Sequence, residues 1–242
     1  MKVVLTHTDL RVYWPPRLKA LQIFLEKKGI DLQVIEIAGK GSPYGFADGF
    51  QEGRNWWAAL FPDQKMEDIP VKKAARALWD ALESYKPDVV MAGAIAYPSG
   101  AVALRWARKR RKGLVVFDNA RLQDVPRSRL VNWIKKRLYA NVGALFIPAP
   151  SHVPDYEYWG FPGERMFYGL NVVDNVFFAS RVESLSSQAE RIRSDYGLPD
   201  KFFLGVGRQV EKKNWNTLIK AYAGSKAIKK GWGLVLVGEG PE

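Results

Sequence analysis

Short apolar runs alternate with amphipathic helical stretches from the first residues onward, and this alternation restricts the chain to a parallel α/β sheet. Consecutive parallel strands need a crossover between them, usually a helix. Lys2 to Thr6 reads as the first strand, and Pro16 to Lys28 as a helix with the stripe Leu18, Leu21, Ile23, Phe24, Leu25, ended by Gly29. Gln33 to Ile37 alternates as the second strand. The period is then lost from Gly39 to Asp68, a glycine- and aromatic-rich stretch (Tyr44, Phe46, Phe50, Trp56, Trp57, Phe61) that is too long for a plain connection and is expected to be a functional or mobile loop. Regularity returns with helix Pro70 to Ser84, strand Val89 to Ala92, helix Pro98 to Arg111, strand Leu114 to Phe117, helix Arg127 to Ala140 and strand Ala144 to Ile147. A short helix from Ser151 to Trp159 and a strand from Arg165 to Phe167 close this first domain, expected over residues 1–175 as a Rossmann-like sheet with helices on both faces.

The remaining residues, 176–242, begin a second unit: helix Ser187 to Tyr196, strand Phe202 to Val206, helix Trp215 to Ala223 and strand Leu234 to Val237. Two parallel strands and one crossover helix cannot cover both faces of a sheet, as parallel sheets require. The segment is therefore expected to be the opening βαβ part of a larger, incomplete domain.

Composition narrows the chemistry. With no cysteine among 242 residues, disulfides, thiolate metal sites and a cysteine nucleophile are excluded, and two histidines argue against a His-rich metal centre. The apolar run before His7 is too short for a signal peptide, and no run of about 18 apolar residues is present to span a bilayer. A cytoplasmic protein is expected. The net charge of +12 calls for anionic partners. The basic residues gather in Arg105 to Lys112 and Lys135 to Arg137, near the C-terminal ends of two expected helices, where cations also favour the helix dipole. Trp106, Trp133 and Tyr139 lie among them, a mixture suited to the interface of an acidic membrane. Peripheral attachment at the inner face of a membrane is the corresponding expectation.

Chemistry-bearing residues cluster at strand ends. Gly205-Val206-Gly207-Arg208 follows a strand, and Lys213 lies five residues beyond Arg208, so two cations stand beside a helix start. This suits a diphosphate, although a turn with a solvated charge has the same appearance. Val237-Gly238-Glu239-Gly240-Pro241 ends the next strand in a glycine-rich turn, which either presents backbone N–H groups to an anion or serves only as a turn. In the first domain, His7, Asp9 and Asn119 are weak catalytic candidates, and Arg17, Tyr97, Ser99, Asp118, Arg121 and Arg127 are candidates for an acceptor side. A helix cap or turn explains Ser99 and Asp118 equally well, and a strand-end structural role explains His7.

The set Phe203 to Arg208, Glu211 to Asn214, Leu218 to Tyr222 and Leu234 to Pro241 resembles family 4 of the retaining GT-B glycosyltransferases. So does the order Ser151, Tyr156, Gly160-Phe161-Pro162, Glu164, Met166, Asn171, Val173-Asp174, Phe178. The resemblance implies transfer of a sugar from a nucleotide-diphosphate donor to a hydroxyl acceptor, lipid-linked or polysaccharide, with retention of configuration. It also implies that Gly207, Arg208 and Lys213 hold the donor diphosphate and that Gly238, Glu239 and Gly240 border the nucleotide. Two side-chain cations would do the work of a metal, so no metal or other cofactor is expected. Two departures stand out. Where many members carry a glycine pair after the first strand, this chain has Thr6-His7-Thr8-Asp9-Leu10-Arg11, leaving Arg11 or Arg17 to reach the donor phosphate by side chain. The family's Glu-rich motif lies beyond the Gly-Pro turn, past Glu242, so little transferase activity is expected of these residues alone. A basic nucleic-acid-binding module is the alternative from another class, but no recognition motif supports it. A nicotinamide-dependent oxidoreductase lacks its glycine fingerprint here.

Overall fold

A computed structural model describes residues 1–10, 13–40 and 55–241. The chain divides into two compact units, residues 1–174 and the residues from 175 onward. The first unit runs β1 (Lys2–His7), α1 (Trp14–Glu26), β2 (Asp31–Lys40), β3 (Trp57–Lys65), α2 (Val71–Tyr85), β4 (Val89–Ala92), α3 (Pro98–Arg110), β5 (Gly113–Phe117), α4 (Arg129–Tyr139), β6 (Ala144–Ile147), α5 (Val153–Tyr158) and β7 (Met166–Tyr168). Its seven strands form one sheet in the order β3-β2-β1-β4-β5-β6-β7, with every pair parallel.

Side chains alternate across the sheet, so neighbours on one strand feed opposite cores. Val3 and Leu5 of β1 join Leu32 and Val34 of β2 and Leu18 of α1 on one face. Val4 joins Ile35 and Ile37 of β2, Leu78 and Leu82 of α2, and Ala103 and Trp106 of α3 on the other. Both faces are thereby covered by helices, which is why β4, β5 and β6 read as near-continuous apolar runs rather than as alternating ones.

The Gly39 to Asp68 stretch, expected to be irregular, contains a strand. β3 pairs with β2 through Val34–Trp57, Ile35–Ala58, Glu36–Ala59 and Ala38–Phe61, after which the register shifts. The strand lies at the sheet edge, where Pro62 is tolerated without costing a ladder hydrogen bond, and it exposes Asp63, which ion-pairs with Lys40. Proline, polar residues and one-sided burial hide its period. Gly39 is needed opposite it, since a Cβ there would collide with the Pro62 backbone. Arg11, Tyr44, Phe46 and Phe50 lie outside the described residues.

The second unit runs α6 (Asn175–Ser186), α7 (Ala189–Asp195), β8 (Lys201–Val206), α8 (Trp215–Gly224) and β9 (Trp232–Val237), with β8 and β9 parallel over six residue pairs. Helix α6 was not anticipated, because residues to Phe178 read as an interdomain turn. Val176, Phe177, Phe178 and Val182 are all exposed and fall on no common stripe, so no period announced the helix.

Candidate functional site

In an open parallel sheet, ligands bind beyond the carboxyl ends of the strands, near the point where strand order reverses. Here the reversal lies between β1 and β4, and the chain after β1, β4 and β5 carries most of the candidates from the first unit. His7 ends β1. Its ring stacks on Phe117 at 5.5 Å and lies 6.1 Å from Trp14 and 6.3 Å from Tyr97, so it sits in an aromatic enclosure. Burial lowers its pKa, only partly opposed by the Asp9 charge, and keeps the imidazole neutral at pH 7. The Thr8 N–H donates to His7 Nδ1 at 2.7 Å, which leaves the ring proton on Nε2. In that tautomer Nε2 is a hydrogen-bond donor and not a base. It faces Gly93, where a Cβ would stand 3.0 Å from Nε2 and 2.8 Å from Cδ2.

Glu36, in the middle of β2 and level with His7 at the end of β1, was passed over in the sequence. It is 2% exposed, and its two oxygens accept from the Leu10 N–H at 3.0 Å and the Trp57 indole at 3.2 Å. The carboxylate fastens the turn after β1 to the edge strand. A lone acid inside the apolar run Val34-Ile35-Glu36-Ile37 was the available signal, since a buried charge needs such partners.

Beyond β4 and β5 opens a cleft of about 460 Å³, whose lining includes Tyr97, Asp118, Asn119, Arg127, Ile134 and Lys135. Four candidates from the sequence meet here. Asp118 is 5% exposed and accepts from the Tyr139 hydroxyl at 2.8 Å and the Ala120 N–H at 3.0 Å, so it is both turn residue and buried acceptor. Burial and the Asp118 charge raise the Tyr139 pKa well above its ordinary value, which holds the phenol as a donor. The same causes raise the pKa of Tyr156. Arg127 Nη1 donates to the carbonyls of Arg121 and Val125 at 3.0 and 3.1 Å, which fixes the guanidinium over the buried Trp159 ring, 5.4 Å from its centre. The Lys135 ammonium lies 3.3 Å from the centre of the same ring. Burial pushes Lys135 down to about 8, with Arg127 lowering it further and Asp118 and Asp155 pulling it back up. Lys135 read in the sequence only as part of a basic run, and Trp159 only as the end of a helix.

The other candidates lie elsewhere. Arg121 bonds Asp155 at 3.2 Å and the Ser151 carbonyl at 3.1 Å, pinning the chain after β5 to α5. Arg17 donates to the Val172 carbonyl at 2.7 Å and covers Trp14. Ser99 is wholly buried at the second position of α3, its hydroxyl without a protein partner, and the helix cap is Tyr97 instead. The expectation of a membrane-facing aromatic set is corrected in part. Trp106 is 2% exposed and donates to Glu83 at 3.1 Å, and Tyr139 is fully buried. Both belong to the core because their positions on α3 and α4 face the sheet. Trp133 alone of the three is exposed, with Arg137 4.3 Å over its ring.

In the second unit the two strand-end turns pack against each other. Gly207 N donates to the Val237 carbonyl at 2.9 Å and Gln209 N to the Glu239 carbonyl at 2.8 Å. A Cβ at Gly238 would collide with the Gly207 carbonyl, and one at Gly240 with that of Gln209, so both glycines are demanded by close backbone approach. The Trp215 indole donates to the Arg208 carbonyl at 2.8 Å, tying the β8 turn to the start of α8. Gly207, Arg208, Gly238, Glu239 and Gly240 thus form one surface at the carboxyl ends of β8 and β9. Lys213 lies in a single 3₁₀ turn leading into α8, beside Gly207.

The chain matches no family model and no curated protein sequence. Its fold is shared with solved structures. HepE of Anabaena, solved in complex with UDP-glucose, is 15% identical with a TM-score of 0.65, over 99% of this chain and 61% of that one. The UDP-GlcNAc 2-epimerase of Methanocaldococcus jannaschii is 16% identical with a TM-score of 0.55, over 97% and 64%. The lipopolysaccharide outer core galactosyltransferase WaaB, in its apo form, is 13% identical with a TM-score of 0.54, over 100% and 62%. The chain therefore spans a little over three-fifths of the length of these proteins. Its fold class is GT-B: a seven-stranded parallel Rossmann-like sheet with helices on both faces, followed by a second unit in which α8 joins the parallel strands β8 and β9.

Proposed function

We propose that the protein is a glycosyltransferase that moves a sugar from a nucleotide-diphosphate donor to a hydroxyl acceptor, with retention, at an anionic membrane surface. The observation that carries this reading is the joined pair of strand-end turns in the second unit. Arg208 and Lys213 stand beside them, on a fold shared with HepE in its UDP-glucose complex. A diphosphate leaving from a sugar gains negative charge in the transition state, and cations held beside it lower that barrier. In this role Arg208 supplies a planar fork of donors and Lys213 a mobile point charge. The Gly238 to Gly240 turn borders the nucleotide, and the cleft between β4, β5 and α4 receives the acceptor. Membrane contact rests on exposed Trp133 and the basic last turns of α3 (Arg108, Lys109, Arg110) and α4 (Lys136, Arg137). Among the described residues no helix is long and apolar enough to cross a membrane.

Incubation of the full-length protein with labelled UDP-, GDP- and ADP-sugars and a membrane lipid extract tests the proposal. Label carried into the organic or polymeric fraction, reduced at least a hundredfold by Arg208→Ala, is the expected result. Recovery of the donor only as its C2 epimer would replace transfer with epimerisation. Salt-sensitive sedimentation with phosphatidylglycerol vesicles checks the surface, and absence of binding at low salt would remove that part.

A further inference from the structure

The cleft beside α4 has two properties that its description leaves unexplained. Two cations converge on one indole, the Lys135 ammonium at 3.3 Å and the Arg127 guanidinium at 5.4 Å. The nearby carboxylates are engaged elsewhere: Asp118 with Tyr139 and Ala120, and Asp155 with Arg121 and the Leu122 N–H. Among the described residues no carboxylate forms an ion pair with Lys135. Arg127 is fixed through Nη1 alone, which leaves Nη2 and Nε without a protein acceptor. A half-buried ammonium is costly to keep charged, and burial is the main cause that lowers the Lys135 pKa, with the Arg127 charge adding to it and the Asp118 and Asp155 charges opposing it.

The second property is an apolar band that continues the cleft into solvent. Val131, Ile134, Lys135 and Leu138 follow the i, i+3, i+4, i+7 spacing and line it from one side of α4. Val125, Val131 and Ile134 remain between 43% and 54% exposed. A sugar or a free phosphate has no use for such a wall, whereas a hydrocarbon chain does. Arg129, Lys136 and Arg137 frame the band with positive charge.

From two cations in one cleft that form no ion pair among the described residues, and from the adjoining apolar band, we infer that the cleft binds an amphiphile with a phosphate head on a hydrocarbon chain. The head sits between Arg127 and Lys135 over Trp159, with Tyr97 and Asn119 in reach at the mouth, and the chain lies along Val131 and Ile134. Calling this ligand the acceptor rests on the transferase reading above; the binding itself does not.

Calorimetric titration of the full chain with decyl phosphate, decyl maltoside and inorganic phosphate at pH 7 tests this. Decyl phosphate is expected to bind one per chain, at least tenfold more tightly than either of the others. Lys135→Met and Arg127→Gln should each weaken it tenfold or more, and Ile134→Ser should weaken it while leaving the weak binding of inorganic phosphate unchanged. Equal affinity for decyl maltoside, or unchanged affinity in both cation variants, would overturn the inference. A readout on the wild-type chain guards against misfolded variants. Acetylation by an N-hydroxysuccinimide ester at pH 8, mapped by peptide mass spectrometry, should be blocked by decyl phosphate at Lys135 and not at exposed Lys220; equal labelling with and without ligand would overturn the site. Loss of decyl phosphate binding with sugar transfer intact removes this ligand and spares the transferase. Binding without any transfer does the reverse.

Discussion

Replacement of Lys135 by methionine should make the first unit more stable at neutral pH. A fall from 10.5 to about 8 reflects a penalty on the charged form in the folded state. At ~1.36 kcal/mol per pH unit this is about 3.4 kcal/mol. The side chain is only partly buried, and solvent screening reduces the figure to roughly half. Methionine keeps the length and apolar character of the stem but loses the cation over Trp159, a contact of about 1 kcal/mol. The balance is a gain of ~0.5–1 kcal/mol at pH 7. Its pH dependence has a definite sign. Because the folded pKa lies below the unfolded one, the unfolded chain binds more protons between about pH 8 and 10.5, and wild-type stability rises with pH across that window. The penalty is fully present below pH 8, so the advantage of the variant is largest there and disappears toward pH 10.5. Asp118, Asp155, Arg127 and Tyr139 face the same ammonium and are present in both proteins. Urea unfolding followed by tryptophan fluorescence at pH 7 and pH 10 measures it. A variant more than 1 kcal/mol less stable at pH 7, or a difference that does not change with pH, would show that the charge is not under strain.

Three further outcomes follow from the geometry. Glu36→Ala leaves the Leu10 N–H and the Trp57 indole without their acceptor and is expected to cost about 2–4 kcal/mol in urea unfolding; a cost below 0.5 kcal/mol would remove Glu36 from its role as fastener. Gly100→Ala places a Cβ against the carbonyls of Gly93 and Ala94 and should destabilise the unit by about 2 kcal/mol or more, despite alanine's better helix propensity; a rise in melting temperature would refute that close approach. His7 should show a nitrogen-15 spectrum of the Nε2-protonated tautomer and titrate below 6.5. Its folded pKa lies below the unfolded value, so stability should fall as pH drops below 6.5, and a titration above 7 would contradict the buried neutral ring.

What the sequence made legible is what repetition encodes. Strands β4 and β6 match the expected spans residue for residue, because strands buried on both faces must be apolar throughout. Helices α2 and α3 match to within a residue, since one stripe of each packs on the sheet while the rest meets water. Edge strand β3 and helix α6 escaped, the first because Pro62 and one-sided burial erase its period, the second because its apolar residues are scattered and exposed. At the candidate site, Tyr97, Asp118, Asn119 and Arg127 were legible as polar residues just after strands. Glu36, Lys135 and Trp159 were not, since their importance comes from contacts 21 or more residues away in the chain.

The charge of the chain shows most clearly where sequence reasoning stops. A count of +12 suggests a single anionic partner, but the fold divides the cations among different tasks. Arg110 pairs with Glu83 and Lys112 with Asp88, Arg105 and Lys109 cover Trp79, and Arg121 and Arg17 fasten chain segments. Arg127 and Lys135 differ from these in sharing the Trp159 face inside the cleft beside α4, where burial lowers the Lys135 pKa to about 8 against the pull of Asp118 and Asp155.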